Sequence, residues 1–423
     1  MSLSEAPAPP GLPEPQRGWT ERLGAALSHR NYRVLWLAAL GSTIGTWMQS
    51  YAQSYLVFEL TKSNFYLGLD TFLGQLPILL LMLIGGVIAD RHDRRRLLRG
   101  SQYVQAFSAL SLALLVATHH VTIPAIFALS FVSGCGQAFG GPAYQAMIPS
   151  LVPRRDLPNA IALNSTQFNL SRALGPAMGG IVLIGIGVAW CFALNGLSFF
   201  LVVIALANMR LPAHVPSTTK LAIGAELRSG LKHVRDTRVL MTLTALAFVT
   251  TSLAMPVSTF FPTFAAELGG SLTPAQRLSM LMAFQGLGAI VGALIVGTLG
   301  PFKRMGRALL TTQILLGLCV AAFAMSRSFP LSLGLIFASG MCSMAVFSMA
   351  FSLVQLTVPD ALRGRIVSIY MVALRSGGPI GALVAGGLAD RFTAPVVITI
   401  SAGLLAAIAL SLLVRRNGTL QNV

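Results

Sequence analysis

Apolar runs about as long as a bilayer is thick recur along this 423-residue sequence. A helix needs about 20 apolar residues to cross the hydrocarbon core of a membrane. The chain is 54% hydrophobic and 10% charged, whereas a soluble domain carries about 25% charged residues. We therefore predict an all-α membrane protein with twelve spans, numbered one to twelve along the chain. They comprise residues 34–58, 65–88, 100–118, 123–149, 158–184, 190–209, 239–265, 277–300, 308–326, 330–358, 365–388 and 394–414.

The stretch from Gly85 to Arg99, between spans two and three, contains five arginines and two aspartates. A charged side chain at the centre of a bilayer costs at least about 2.5 kcal/mol, so this stretch is predicted to be a short loop in water. Because cytoplasmic loops are rich in Lys and Arg, we place this loop and both chain termini in the cytoplasm. Segments on that side hold 24 of the 30 Lys and Arg residues, and the opposite loops hold four.

The longest interruption between spans, residues 210–238, separates six spans from six. From Lys220 to Arg238 it places Leu227, Leu231 and Val234 at helical spacing with basic residues beside them. This pattern predicts an amphipathic helix lying on the inner leaflet. The chain thus divides into a cytoplasmic tail (1–33), a six-helix bundle (34–209), a linker (210–238), a second six-helix bundle (239–414) and a cytoplasmic tail (415–423).

The two halves share a motif at an offset of 203 residues. Arg172-Ala-Leu-Gly-Pro176 in span five matches Arg375-Ser-Gly-Gly-Pro379 in span eleven. Parallel six-helix repeats with a substrate site between them are one plan of secondary transporters. We therefore expect two pseudo-symmetric bundles.

Several other classes of function find no support in the sequence. The four cysteines lie inside apolar runs without metal-ligand spacing, and no phosphate-binding loop of the Walker type is present. We also recognise no nucleophile with an adjacent base, so we expect no enzyme, no cofactor and no metal site. The net charge of +17 comes from basic residues in short loops between apolar runs, which favours membrane orientation over nucleic-acid binding.

Residues 30–414 resemble the major facilitator superfamily. The stretch from Gly86 to Arg96 resembles the signature loop of that family between spans two and three. Gly175-Pro176-Ala-Met-Gly179-Gly180 resembles the end of the antiporter motif in span five of its exporters. Asn31-Tyr32-Arg33, Gly45-Thr46-Trp47 and Arg172 are similar to the enterobactin-exporter-like branch, which includes multidrug exporters. The sequence departs from the pattern in lacking an arginine in span four and an acid before the span-one tryptophan.

The resemblance implies a gate built from Gly86, Asp90, Arg91, Arg94 and Arg95, which latches the halves together on the cytoplasmic side in one state. The alternative is that these arginines only set the orientation of the chain. For the span-five motif, small residues and a proline allow either a tight, bendable contact with the other half or ordinary helix packing.

Three charged residues within spans are candidates for proton coupling: Asp70, Arg172 and Arg375. Such residues face a partner or an aqueous cavity, so the arginines would bind an anionic substrate, pair with a protonatable acid or have a structural role. Asp70 would carry protons or lie at the hydrated rim. A polar stripe in span one and polar residues in spans four and eight are predicted to line a substrate cavity: Ser42, Thr46, Gln49, Gln53, Gln137, Tyr144 and Gln285.

Together these features predict a secondary transporter of the bacterial cytoplasmic membrane. The resemblance implies export of an amphipathic small molecule, siderophore or drug-like, by proton antiport and alternating access, and we expect a monomer surrounded by lipid. Two alternatives remain at this point. One is uptake or facilitated diffusion of a nutrient or metal chelate, and the other is a membrane receptor that does not transport.

Overall fold

The computed structural model describes residues 24–209, 223–300, 302–359 and 362–414, with the backbone alone for residues 82, 83, 87, 89–91 and 223–227. All regular elements in this part of the chain are helices, eleven of them long and apolar enough to cross a membrane. The remaining span is span one, the helix Arg30–Thr61, whose Ser, Thr and Gln residues lower its mean hydropathy. The prediction of an all-α membrane protein is confirmed.

Most helices extend a few residues beyond the predicted apolar runs. Spans one to six are Arg30–Thr61, Asn64–Arg91, Arg94–Ala117, Ile123–Leu151, Leu157–Ile186 and Val188–Asn208. The linker contains the helix Ile223–Asp236. Spans eight to twelve are Pro274–Leu299, Met305–Met325, Phe329–Thr357, Arg363–Phe392 and Ala394–Val414.

Span seven is broken into three helices, Arg238–Ala254, Pro256–Thr259 and Phe261–Glu267. The second and third pieces each have a proline in their first turn. A proline removes a backbone donor and clashes with the preceding turn, so a helix restarts there more easily than it continues. The apolar run 239–265 predicts one continuous helix, so the two restarts are a departure from that prediction.

The arginine-rich stretch contains less loop than predicted. Span two continues to Arg91 and span three begins at Arg94, so the connection between the helices is His92 and Asp93. The Asp93 carboxylate caps span three by accepting hydrogen bonds from the backbone N–H groups of Arg95 (2.9 Å) and Arg96 (3.4 Å). This cap satisfies the first backbone donors of span three, so the helix can begin at Arg94. The arginines therefore belong to the ends of two helices and not to a loop.

The two halves repeat one packing pattern. Span one packs on spans five and six as span seven packs on eleven and twelve. Spans two and four pair as eight and ten do, and span three lies between four and six as nine lies between ten and twelve. Two extensive contacts, span two with eleven and span five with eight, join the halves. The predicted pair of pseudo-symmetric bundles is therefore present.

Candidate functional site

Asp70, in span two, lies within a polar cluster formed by three spans of the first half. Its carboxylate accepts hydrogen bonds from the Gln53 amide of span one (2.7 Å) and the Ser130 hydroxyl of span four (2.8 Å). The Gln53 amide also lies 2.8 Å from the Ser130 oxygen. Two predicted residues, Asp70 and Gln53, are thus in direct contact, and Asp70 does not lie isolated at a rim.

Two further amides extend this cluster towards span six. Asn195, only 2% exposed, donates to Gln49 at 2.6 Å, and the Gln49 amide donates to Gln53 at 3.5 Å. Each amide N–H thus points along the row towards the Asp70 carboxylate. Asn195 was not predicted as a site residue, because a single polar residue in the apolar span six gives no periodic signal.

A second polar group lies nearer the arginine-rich end of the bundle. The Tyr144 hydroxyl of span four donates to Asn164 (2.9 Å), and Gln167 of span five donates to Thr43 of span one (3.1 Å). Ser130, Gln137 and Tyr144 follow at seven-residue spacing, so they share one face of span four. Gln137 is exposed on that face between the two polar groups.

Arg172 lies half-buried at the contact between the halves. Its guanidinium carbon is 5.8 Å from the centroid of the Trp47 ring, within the range of a cation–π interaction. One nitrogen donates a long hydrogen bond (3.4 Å) to Gln285 of span eight, whose amide also bonds to Ser258 of span seven. In the described part of the chain no carboxylate contacts Arg172. Its guanidinium therefore interacts with the Trp47 ring and the Gln285 amide.

Arg375, the residue that the repeat relates to Arg172, has a different environment. It is exposed and makes no hydrogen bond within the described residues. It stands seven residues before Ala382, which packs against Gly68 of span two, so its position is on the side of span eleven that faces span two. The repeat thus places the two arginines in different environments, since span eight provides Gln285 for Arg172 and Arg375 makes no such contact within the described residues.

Two predicted residues in span one do not have free polar groups facing a cavity. Ser42 is 6% exposed and is buried within the helix packing. The Thr46 hydroxyl donates to the Ser42 carbonyl oxygen at 2.9 Å, which occupies it within its own helix. Only the second part of the stripe, at Gln49 and Gln53, joins the polar cluster around Asp70.

The span-five glycines form close contacts with both halves. A Cβ at Gly175 or Gly179 would overlap Trp47 and Tyr51 of span one, and one at Gly180 would overlap Ser279 of span eight. The Ser279 hydroxyl donates to the Pro176 carbonyl oxygen at 2.9 Å. Small residues permit such close approach of helices in membranes.

The predicted gating residues tie helix ends together within the first half. Arg94 donates to the Ala146 carbonyl oxygen of span four (2.8 Å), and Arg95 donates to that of Ala207 at the end of span six (3.1 Å). Cations are favourable at the C-terminal ends of helices. A Cβ at Gly86 would have no neighbouring atom within 4 Å. The side chains of Asp90 and Arg91 lie outside the described residues.

The contacts that join the halves concentrate at the arginine-poor end of the bundle, where span one ends and span two begins. There the Tyr51 hydroxyl donates to the Ala275 carbonyl oxygen (2.9 Å), and Thr263 donates to Asn64 (2.5 Å). At the arginine-rich end, large apolar side chains of the spans that form this contact are exposed, including Ile84, Ile161 and Leu294 at 51%, 55% and 62%. The halves are thus held together at the arginine-poor end, by hydrogen bonds and by close helix packing.

Comparison with known proteins relates the whole chain to transporters. The family described as transmembrane secretion effector matches residues 23–420. The multidrug efflux pump Tap of Mycolicibacterium fortuitum is 28% identical over 366 residues, which cover 84% of this chain and 88% of that protein. The enterobactin exporter EntS of Salmonella typhimurium is 25% identical over 407 residues, which cover 94% and 95%.

Solved structures share the fold at low sequence identity. A peptide transporter POT has a TM-score of 0.73 and 14% identity, covering 96% of this chain and 97% of its own. A bacterial homologue of the human lysosomal transporter Spinster, in an inward-facing and occupied conformation, has a TM-score of 0.70 and 14% identity, covering 90% and 96%. At such identities the likeness establishes the architecture.

Proposed function

Because the chain belongs to the transmembrane secretion effector family of the major facilitator superfamily, we propose that it exports an amphipathic small molecule in exchange for protons. Its relatives Tap and EntS, a multidrug pump and an enterobactin exporter, support export over uptake. The arginine-rich end faces the cytoplasm in this proposal, in the cytoplasmic membrane of a bacterium. The cleft between the halves then opens inward, as cargo loading requires.

The observation that carries the proton step is the row of amides ending at Asp70. An ionised carboxylate only accepts hydrogen bonds, whereas a protonated one also donates. Protonation of Asp70 adds a donor, which the Ser130 hydroxyl or the oxygen of a turned Gln53 amide can accept. Rotation of the Gln53 amide reverses the bonds to Gln49 and Asn195, which extend across spans one and six. A proton on one residue thereby changes hydrogen bonds that join four spans, as coupling to a two-state change requires.

The cargo site of the proposal is the space between Gln137, Tyr144, Trp47 and Arg172. Ligand pockets in proteins combine apolar and aromatic walls with a few polar groups. The proposed site would combine the indole ring and half-buried guanidinium at the contact between the halves with the amide and hydroxyl of span four. This combination suits a molecule with an aromatic body and polar or anionic substituents.

The test is transport of fluorescent amphipathic dyes by membrane vesicles. Everted vesicles with an acid lumen should accumulate the dye, and nigericin, which collapses the pH gradient, should abolish accumulation. We use ethidium, Nile red and a carboxylated fluorescein as cationic, neutral and anionic probes. Uptake by right-side-out vesicles instead would identify an importer.

Asp70→Asn should lose gradient-driven accumulation by at least about tenfold and retain dye exchange at equal pH, because the amide cannot take up a proton. Glu59→Gln is the matched control, since Glu59 is a carboxylate at the arginine-poor end paired with Lys62 (2.9 Å). Wild-type coupling in Asp70→Asn would exclude this residue from the proton step.

A further inference from the structure

The C-terminal end of span eleven carries the same residues as that of span two. Gly-Gly-Val-Ile-Ala-Asp90-Arg91 closes span two, and Gly-Gly-Leu-Ala-Asp390-Arg391 closes span eleven. The two ends lie on opposite sides of the bundle, because the helices run antiparallel. Each half of a major facilitator transporter contains inverted three-helix repeats, which makes span eleven an inverted counterpart of span two.

Asp390 caps the first turn of span two, a helix of the other half. One carboxylate oxygen accepts hydrogen bonds from the backbone N–H groups of Asn64 (2.8 Å) and Phe65 (3.4 Å). The other accepts a hydrogen bond from the Ser63 hydroxyl (2.5 Å). Ser63 is at the N-cap position of span two and makes no side-chain cap bond to its own helix. A carboxylate at a helix N-terminus satisfies free backbone donors and interacts favourably with the helix dipole.

Spans two and eleven pack so closely around this cap that the helices cannot shift while the cap is formed. A Cβ at Gly68 would overlap the carbonyl oxygen of Ala382, and one at Gly386 would lie 2.6 Å from that of Asn64. Asp390 can therefore reach the start of span two only when spans two and eleven touch at the arginine-poor end. Separation by a single helical turn, about 5.4 Å, breaks all three hydrogen bonds.

We propose that Asp390 is a latch that holds the arginine-poor end closed. In the state open at that end, Asp390 releases span two and its three hydrogen bonds are lost. The cap thus favours the state closed at the arginine-poor end, and Asp390 acts by positioning helices without contact with cargo.

The test measures the separation of the halves at both ends by double electron–electron resonance, without cargo. Spin labels replace the exposed residues His120 and Arg327 at the arginine-poor end, or Arg154 and Lys303 at the other. The four native cysteines are replaced by alanine. Asp390→Ala should raise the ratio of molecules open at the arginine-poor end about fivefold, the factor expected for loss of an N-terminal cap. The fraction of molecules with a short distance between Arg154 and Lys303 should rise by the same factor. Unchanged distances would overturn the proposal.

Two further variants separate a latch from a merely structural cap. Glu59→Ala removes a neighbouring carboxylate whose partner, Lys62, is in the same half, and should leave both distances unchanged. Ser63→Asp combined with Asp390→Ala gives span two a cap from its own half. A latch predicts that this pair recovers thermal stability while the distances stay shifted. Recovery of the distances as well would show that Asp390 only stabilises span two.

Discussion

The two contacts between the halves are stabilised in different ways: one chiefly by close packing, and the other by close packing and a hydrogen-bonded cap. Between spans five and eight, backbone packs on small residues: a Cβ at Gly286 would lie 2.9 Å from the Cα of Ala173. This contact continues to Arg172 and Gln285. Between spans two and eleven, close packing at Gly68 gives way to the cap by Asp390 at the surface. The first contact therefore adjoins the proposed cargo site, and the second ends at the arginine-poor surface.

This difference has a consequence for sensitivity to mutation. Packed backbone has no room for added atoms, so an enlarged side chain prevents closure altogether. A hydrogen-bonded cap contributes about 1 kcal/mol, so its loss shifts populations without excluding a state. We therefore expect steric changes between spans five and eight to exceed loss of the Asp390 cap. Loss of one neutral hydrogen bond should have the smallest effect.

The largest effect is expected for Gly286→Leu. The new side chain would overlap Ala173, so the arginine-poor end should no longer close and dye accumulation should fall at least about tenfold. Gly334→Leu in span ten is the control, because no atom lies within 4 Å of a Cβ there. Vesicle transport and the label distances at His120 and Arg327 measure the result. Normal transport by Gly286→Leu would show that the contact between spans five and eight yields easily.

An intermediate effect is expected for Arg172→Lys. Lysine keeps the positive charge and loses the planar group over Trp47, an interaction of about 0.5–2 kcal/mol. The KM for the carboxylated dye should rise about threefold to tenfold, with unchanged dependence on the pH gradient. A loss of coupling with unchanged KM would instead assign Arg172 to the proton step.

The smallest effect is expected for Ser279→Ala. It removes one neutral hydrogen bond, to the Pro176 carbonyl oxygen, which contributes about 0.5 kcal/mol at the low end of the usual range, and it leaves the close approach of Gly180 intact. Transport should change less than about threefold, and the label distances should shift less than in Asp390→Ala. A larger shift than in Asp390→Ala would reverse the order of the two contacts.

The architecture was predictable because it follows from the length and composition of segments along the chain. A span needs a fixed number of apolar residues, so runs such as 394–414 are recognisable without knowledge of their neighbours. Span one was found as well, since residues 34–58 are predominantly apolar despite their polar stripe. The restarts at Pro256 and Pro262 were missed because apolar composition hides a change of helix direction.

The candidate site was only partly predictable because it depends on which helix faces meet. Asp70 and Gln53 were recognised individually as polar residues in apolar runs. Their contact through Ser130 depends on the packing of three helices, which periodicity within one helix does not specify. Asp390 was missed for another reason: its Ala-Asp-Arg sequence repeats that of span two at the opposite surface, whereas a parallel repeat relates only segments on the same surface.

The polar stripe of span one has a consequence for how the chain is made. The helix Arg30–Thr61 is the first of the twelve to leave the ribosome, and it is the one that falls short of the hydropathy of the others. Insertion into the bilayer by the translocon depends on the apolarity of each segment. We expect this helix to wait at the translocon until span two, with its continuous Leu and Ile residues, enters beside it. The glutamines that serve the finished protein thus set the order of its membrane assembly.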